Sequence, residues 1–121
     1  MSPDTPRRRG QWRDYRTPAG RRPVKEFLDD LPDEDAAAIA AAMRDVLANS
    51  LGVARHLRGD IYEVRADADR VIYRILFATE GRYSQVFLAL EGFKKKTQKT
   101  PPETIRLAER RLASWRGRGG G

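Results

Sequence analysis

The chain has 121 residues, 40% of them hydrophobic and 34% charged, which suits one soluble globular domain with a real core. With no cysteine and a single histidine, His56, it excludes disulfides, thiolate metal sites and an imidazole metal centre, so neither metal nor cofactor is expected. A net charge of +7 excludes an acidic protein, and the longest apolar run, residues 36–43, is too short to span a membrane.

Residues 1–10 are rich in Pro and Arg without periodicity and read as a disordered basic tail. They contain no apolar segment that would make a secretory signal, so a cytoplasmic location is expected. A short strand runs from Gln11 to Arg16 around Trp12 and Tyr15. After the turn TPAGRRP, Pro23 suits the first turn of a helix, and Val24, Phe27, Leu28 and Leu31 fall on one helical face. Pro32 interrupts, and Asp33 caps a second helix, with Glu34 and Asp35 at its positive end. Ile39, Met43, Val46 and Leu47 line its apolar face. Residues 50–57 read as a connector.

Three strands follow. Ile61 to Ala66 alternates, with Tyr62 and Val64 opposed to Ile61, Glu63 and Arg65. Residues 67–69 make a turn. Val71 to Ala78 also alternates, with Val71, Tyr73, Ile75 and Phe77 opposed to Ile72, Arg74 and Leu76. A second turn, TEGRYS, carries Tyr83, and Gln85 to Phe93 is the last strand. Short turns between successive strands favour an antiparallel meander. Thr100 then reads as the start of a capping box, with Pro101 at the first helical position and Glu103 reaching back. Ile105, Ala108, Leu112 and Trp115 form the buried stripe of this last helix. The predicted fold is α+β, β-α-α-β-β-β-α, a mostly antiparallel sheet with helices packed on one face. The domain spans residues 11–115, and residues 116–121 read as a Gly/Arg tail.

The charge is uneven. Residues 1–28 carry 8 basic and 3 acidic side chains, residues 29–81 carry 6 and 11, and residues 82–121 carry 10 and 3. A polyanion met by the two ends of the chain fits this pattern, and so does a solvated basic surface. The sharpest feature is GFKKKTQKT. An apolar strand runs into four lysines, Lys94, Lys95, Lys96 and Lys99, which mounts cations on a rigid element. Arg74 interrupts the apolar strand VIYRILF and must be paired or face an open, wet surface. If helices cover only the Tyr73 face, Arg65 and Arg74 share an open basic face. Pairing of each with a local acid such as Glu63 is the alternative.

These residues carry a resemblance. The segments EVR, VIYRILF and VFLALEGFKKKTQKTPPETIRLAERR, preceded by WRDYRTPAGRRPVKEFLDDLP, resemble the phage-derived HigB-like toxins of the RelE/ParE toxin superfamily over about residues 11–115. The lysine motif with the helix after it is the most specific part, and YRT-x-x-G-x-x-PV-x-EFL supports it. The resemblance implies a small RelE-like domain that cuts mRNA on the ribosome without a metal. It also implies silencing by a helix-turn-helix (HigA-like) antitoxin.

Such cleavage needs a base at the 2′-oxygen, cations around the phosphorane and an acid for the leaving 5′-oxygen. The candidate catalytic residues are Arg74, Glu91, Lys95 and Lys96. Arg65, Tyr83, Lys94 and Lys99 are the candidate RNA-binding residues. A guanidinium such as Arg74 or Arg65 can grip phosphate oxygens bidentately. Crowded ammonium groups repel one another's protons, so one of Lys95, Lys96 and Lys99 can act as acid or base. Many HigB-like toxins have a histidine before the GF dipeptide, where this chain has Glu91. A carboxylate can accept the 2′-proton or simply pair with a lysine. A non-catalytic RNA- or ribosome-binding module with the same fold therefore stays open, as does a DNA-binding role, although no helix-turn-helix is readable.

Overall fold

The computed structural model describes residues 10–96 and 98–119. Its elements are β1 (Gln11–Asp14), α1 (Pro23–Asp29), α2 (Asp33–Asn49), a 3₁₀ turn over Ser50–Val53, β2 (Arg55–Arg58), β3 (Ile61–Asp67), β4 (Ile72–Glu80), β5 (Val86–Lys94) and α3 (Pro102–Gly117). The fold is α+β, as expected for a small RelE-like domain. The sheet has five strands in the order β1-β5-β4-β3-β2. Only the β1–β5 pair is parallel.

The connector expected at 50–57 contains a strand. Its sequence, RHLR, has no apolar alternation, and only Leu57 among the four is withdrawn from full exposure. The local signal is the Gly59-Asp60 turn, where Gly59 takes φ +53° and joins β2 to β3 through two residues.

The core has two halves. On one face of the sheet, Val24, Ile39 and Val46 of α1 and α2 pack on Val64, Tyr73, Ile75, Phe77, Phe87 and Ala89. Trp12 stands edge-on to Phe77 at 5.0 Å between ring centres, and its indole Nε1 donates to the Met43 carbonyl at 2.8 Å. The Tyr73 hydroxyl donates to Asp35 Oδ2 at 2.5 Å, fixing the first turn of α2 to β4. On the other face, Ala108, Leu112 and Trp115 of α3 pack on Ile61, Leu76, Ala78, Leu88 and Leu90, with Tyr15. Helices on one face only is therefore corrected. Both faces of β4 and β5 are apolar, as strands buried on two sides must be, and α3 covers the second.

Two local features set up the end of β5. The β4–β5 register jumps from Phe77↔Ala89 to Leu76↔Glu91, leaving Leu90 as an extra residue. The bulge turns Glu91 onto the α3 face beside Leu76. Gly92 then lies on the opposite face, where a Cβ would stand 2.6 Å from the Phe27 ring and 2.9 Å from Ile75 Cδ1. Only glycine fits under Phe27.

The expected capping box does not form. The cap residue of α3 is Pro101, whose carbonyl accepts from the amides of Thr104 and Ile105. The Thr100 side chain is buried and bonded elsewhere. Of the expected C-terminal tail, residues 116 and 117 belong to α3, and residues 120–121 lie outside the described residues. Arg116 lies within α3 and reaches Asp60 at 2.8 Å and Glu80 at 2.6 Å, while Arg118 Nη2 donates to the Arg16 carbonyl at 2.6 Å. The expected N-terminal tail, apart from Gly10, lies outside the described residues.

Candidate functional site

The lysine-rich end of β5 meets the β3–β4 turn at one end of the sheet. That turn is closed by the Ala68 amide on the Val71 carbonyl, and pairing continues past β5 through the Lys95 amide on Ile72 O at 2.7 Å. Between them lies a cleft of about 450 Å³ lined by Arg70, Val71, Ile72, Lys94, Lys95, Lys96 and Gln98. Among the described residues, none of these four cations forms an ion pair. Four positive groups around one cleft, without a compensating acid, hold a field that an anion would relieve.

Arg74 does not line this cleft. It is 5% exposed, beside Glu63 at 4%. Its Nη1 stands 3.3 Å from Glu63 Oε1 and donates to Thr100 Oγ1 at 3.1 Å, and its Nη2 donates to the Gln98 carbonyl at 3.2 Å. The Thr100 hydroxyl donates to Glu63 Oε2. Arg74 Nε is buried with no partner among the described residues. The open position expected for Arg74 is thus corrected: Arg74 takes the pairing alternative, and Gln98 and Thr100 bond to it there.

Arg65 pairs across the strands with Arg74 but stays exposed, held by Asp67 at 2.7 Å. It borders a second cleft of about 370 Å³ with Arg55, Glu63 and Arg74. Glu91 is half-buried, 3.1 Å from Arg111 Nη1 of α3, and it also accepts from the Gly92 amide at 3.2 Å. Tyr73, the cross-strand neighbour of Lys94, has its phenol pushed above the usual range by the Asp35 hydrogen bond and then by burial. It stays a neutral donor at neutral pH. No group of three or more His, Asp or Glu residues spaced to hold a metal occurs among the described residues. No helix is long and apolar enough to cross a membrane.

The profile described as phage derived protein Gp49-like (DUF891) matches residues 26–113, from α1 through most of α3. The chain belongs to the Gp49-like family. Two relatives, both named "Probable endoribonuclease HigB1" and both from Mycobacterium tuberculosis (strains CDC 1551 / Oshkosh and ATCC 25618 / H37Rv), are 38% identical over 119 residues. The alignments cover 96% of this chain and 93% of each relative. The HigB-like resemblance is borne out by the profile and by both relatives.

All four cleft cations lie inside the Gp49-like match. Lys94, Lys95 and Lys96 come together as the sequence suggests. Arg70 joins them and was missed, because only the β3–β4 register shows that the turn after Asp69 faces the end of β5. Lys99 is exposed just beyond Gln98. Arg65 does not line this cleft and borders the second one. Tyr83 is 59% exposed but sits in the β4–β5 turn, beyond the far end of the nine-residue β4. At about 3.3 Å per residue that is a separation of over 20 Å, so Tyr83 is not part of this cleft.

Proposed function

We propose that the protein is the toxin of a type II toxin–antitoxin system, an endoribonuclease that cleaves mRNA on the ribosome and so inhibits translation. The observation that carries this reading is the cleft in which Arg70, Lys94, Lys95 and Lys96 stand without acid partners. The family and the relatives' names support it. In this reading the RNA 2′-hydroxyl attacks the adjacent phosphorus, giving a 2′,3′-cyclic phosphate and a 5′-hydroxyl. Arg70 and Lys94 hold the phosphate, and Lys95 or Lys96 moves protons at the 2′- and 5′-oxygens. The charge on the phosphorane is met by these cations and not by a metal. Glu91 is held through Oε1 by Arg111 and by the Gly92 amide, so it receives the smaller role. The partner is a helix-turn-helix antitoxin of the HigA type, drawn to the basic cleft or holding the toxin off the ribosome.

Mapping new 5′ ends of cellular mRNA after a brief pulse of expression tests the activity. Growth arrest with no new 5′ ends would favour the second reading, a ribosome- or RNA-binding module that does not cut. That reading draws on one observation: Glu91 stands where many HigB-like toxins have histidine, and its carboxylate is engaged by Arg111. Co-expression with the neighbouring gene tests the partner, and unchanged growth arrest would refute it.

A further inference from the structure

The Arg74–Glu63–Thr100 cluster is nearly closed to solvent: all three side chains are buried, and Arg74 and Glu63 only edge the second cleft. Yet it is an awkward thing to bury. An ion pair in a core is a weak source of stability, because desolvation offsets the attraction. Here one donor, Arg74 Nε, is also left without a partner among the described residues. Apolar side chains of similar volume would hold β3 and β4 together at least as well. What apolar side chains could not do is grip the chain that follows the lysines.

The bonds are directed at that chain. Arg74 Nη2 reaches the Gln98 carbonyl, and Arg74 Nη1 and Glu63 share the Thr100 hydroxyl. On the other side of the lysines, the Lys95 amide is tied to Ile72 O. Lys95 and Lys96 are therefore held between a front anchor on the β4 backbone and a rear anchor on two strand side chains. Arg74 and Glu63 lie on adjacent central strands, the most rigid mount this sheet offers.

We propose that Glu63, Arg74 and Thr100 are positioning residues: they latch Gln98 and Thr100 onto β3 and β4 and so fix where Lys95 and Lys96 stand in the cleft. Arg74 then acts through the lysines and does not itself touch phosphate. The kinetic half of this inference rests on the ribonuclease reading, whereas the latch itself does not. A small displacement of a reacting group is enough to cost about 100-fold in rate, so an anchor outside the cleft can control turnover.

Thr100→Val separates the latch from the fold, because it keeps the shape and removes only the hydroxyl. Thr100→Ser is the rescue. The double variant Glu63→Leu with Arg74→Met replaces the ion pair by apolar groups and is a second route that need not unfold the domain. In Thr100→Val and in the double variant, amide exchange at Lys95 should rise about tenfold or more while exchange in the centre of β4 stays as in wild type. Single-turnover cleavage on programmed ribosomes should fall about 10- to 100-fold, with affinity for a non-cleavable 2′-deoxy-substituted strand changed less than about threefold. Thr100→Ser should restore exchange and rate.

Wild-type cleavage by Thr100→Val, or unchanged exchange at Lys95, overturns the proposal. If the wild-type protein itself does not cleave, the ribonuclease reading falls. The latch is then judged by exchange alone, upheld by the rise and overturned by its absence.

Discussion

The two ends of the sheet are built from the same kinds of residue and treat charge in opposite ways. At the end formed by the β2–β3 and β4–β5 turns, Arg116 is held by Asp60 and Glu80, and Arg58 by Glu109. These pairs join α3 to the turns and leave the guanidinium groups occupied. At the other end, Arg70, Lys94, Lys95 and Lys96 face one cleft with no acid among the described residues to meet them. Counting basic residues does not separate these ends. Partner geometry does, because a paired cation closes structure while an unpaired one in a cleft waits for an anion.

The comparison is broken most directly by emptying the cleft. Lys94→Ala, Lys95→Ala and Lys96→Ala together should lower single-turnover cleavage more than about 100-fold, since several phosphate-directed charges disappear at once. The slope of log affinity against log salt for single-stranded RNA should become shallower by about 0.7 for each phosphate that is no longer neutralised. Cleavage rates and binding isotherms at two or more salt concentrations check both. A triple variant that binds and cuts as wild type would move the site elsewhere.

Replacing charge while removing proton transfer sharpens the same point. The double variant Lys95→Arg, Lys96→Arg keeps both positive charges but offers groups that do not lose protons at neutral pH. Binding should stay within about threefold of wild type, and single-turnover cleavage should fall about 10- to 100-fold. Glu91→Gln should change the rate less than this, because the carboxylate already pairs with Arg111. A larger loss in Glu91→Gln than in the arginine variant would reverse the two roles.

Much of this arrangement is legible in the sequence, and the parts that are not share a physical cause. The apolar periodicity of α1, α2, β3, β4 and β5 reports burial, and burial set most of the element order. Strand β2 escaped because RHLR is an exposed edge with nothing to alternate. The bulge at Leu90 escaped because VFLALEGF reads as an uninterrupted apolar strand, and only pairing with β4 shows the slip. The placement of Arg70 and Arg74 escaped for the same reason. A cation inside a strand reads as a fixed clamp, but its direction leads to Glu63, and the cation in the turn lines the cleft. Thr100 had the right neighbours for a helix cap and found a buried glutamate instead. Local rules placed the elements, while long-range pairing assigned the side chains.

A smaller effect is expected under α2. Tyr73 is directly opposite Lys94, on the same face of the sheet, and its hydroxyl bonds to Asp35 of α2. Tyr73→Phe should cost about 1 kcal/mol in denaturant unfolding while leaving cleavage within about twofold. The pH dependence follows from the raised phenol. Because its folded value lies above the unfolded one near 10, this contribution is present below about pH 10 and is lost as pH rises through the folded value. Wild type should lose part of its advantage over Tyr73→Phe in that alkaline range. A variant with impaired cleavage would show that the α2 face also shapes the lysine end.

The smallest effect should come from the paired end, and it is the control for the whole comparison. Arg116 is bonded to two acids, and its guanidinium is held more firmly protonated by the Glu80 hydrogen bond first and the Asp60 bond second. The side chain is nevertheless 42% exposed, so solvent screens both pairs and Arg116→Ala should cost at most about 1 kcal/mol. That cost should shrink in high salt, as for any exposed pair. Cleavage and the salt slope of RNA binding should not move, because a guanidinium already committed to Glu80 and Asp60 neutralises no phosphate. Urea unfolding at low and high salt, run beside the cleavage assay, reads both. A shallower salt slope in Arg116→Ala would mean that RNA reaches the far end of the sheet, and the division between a closed end and a binding end would have to be given up.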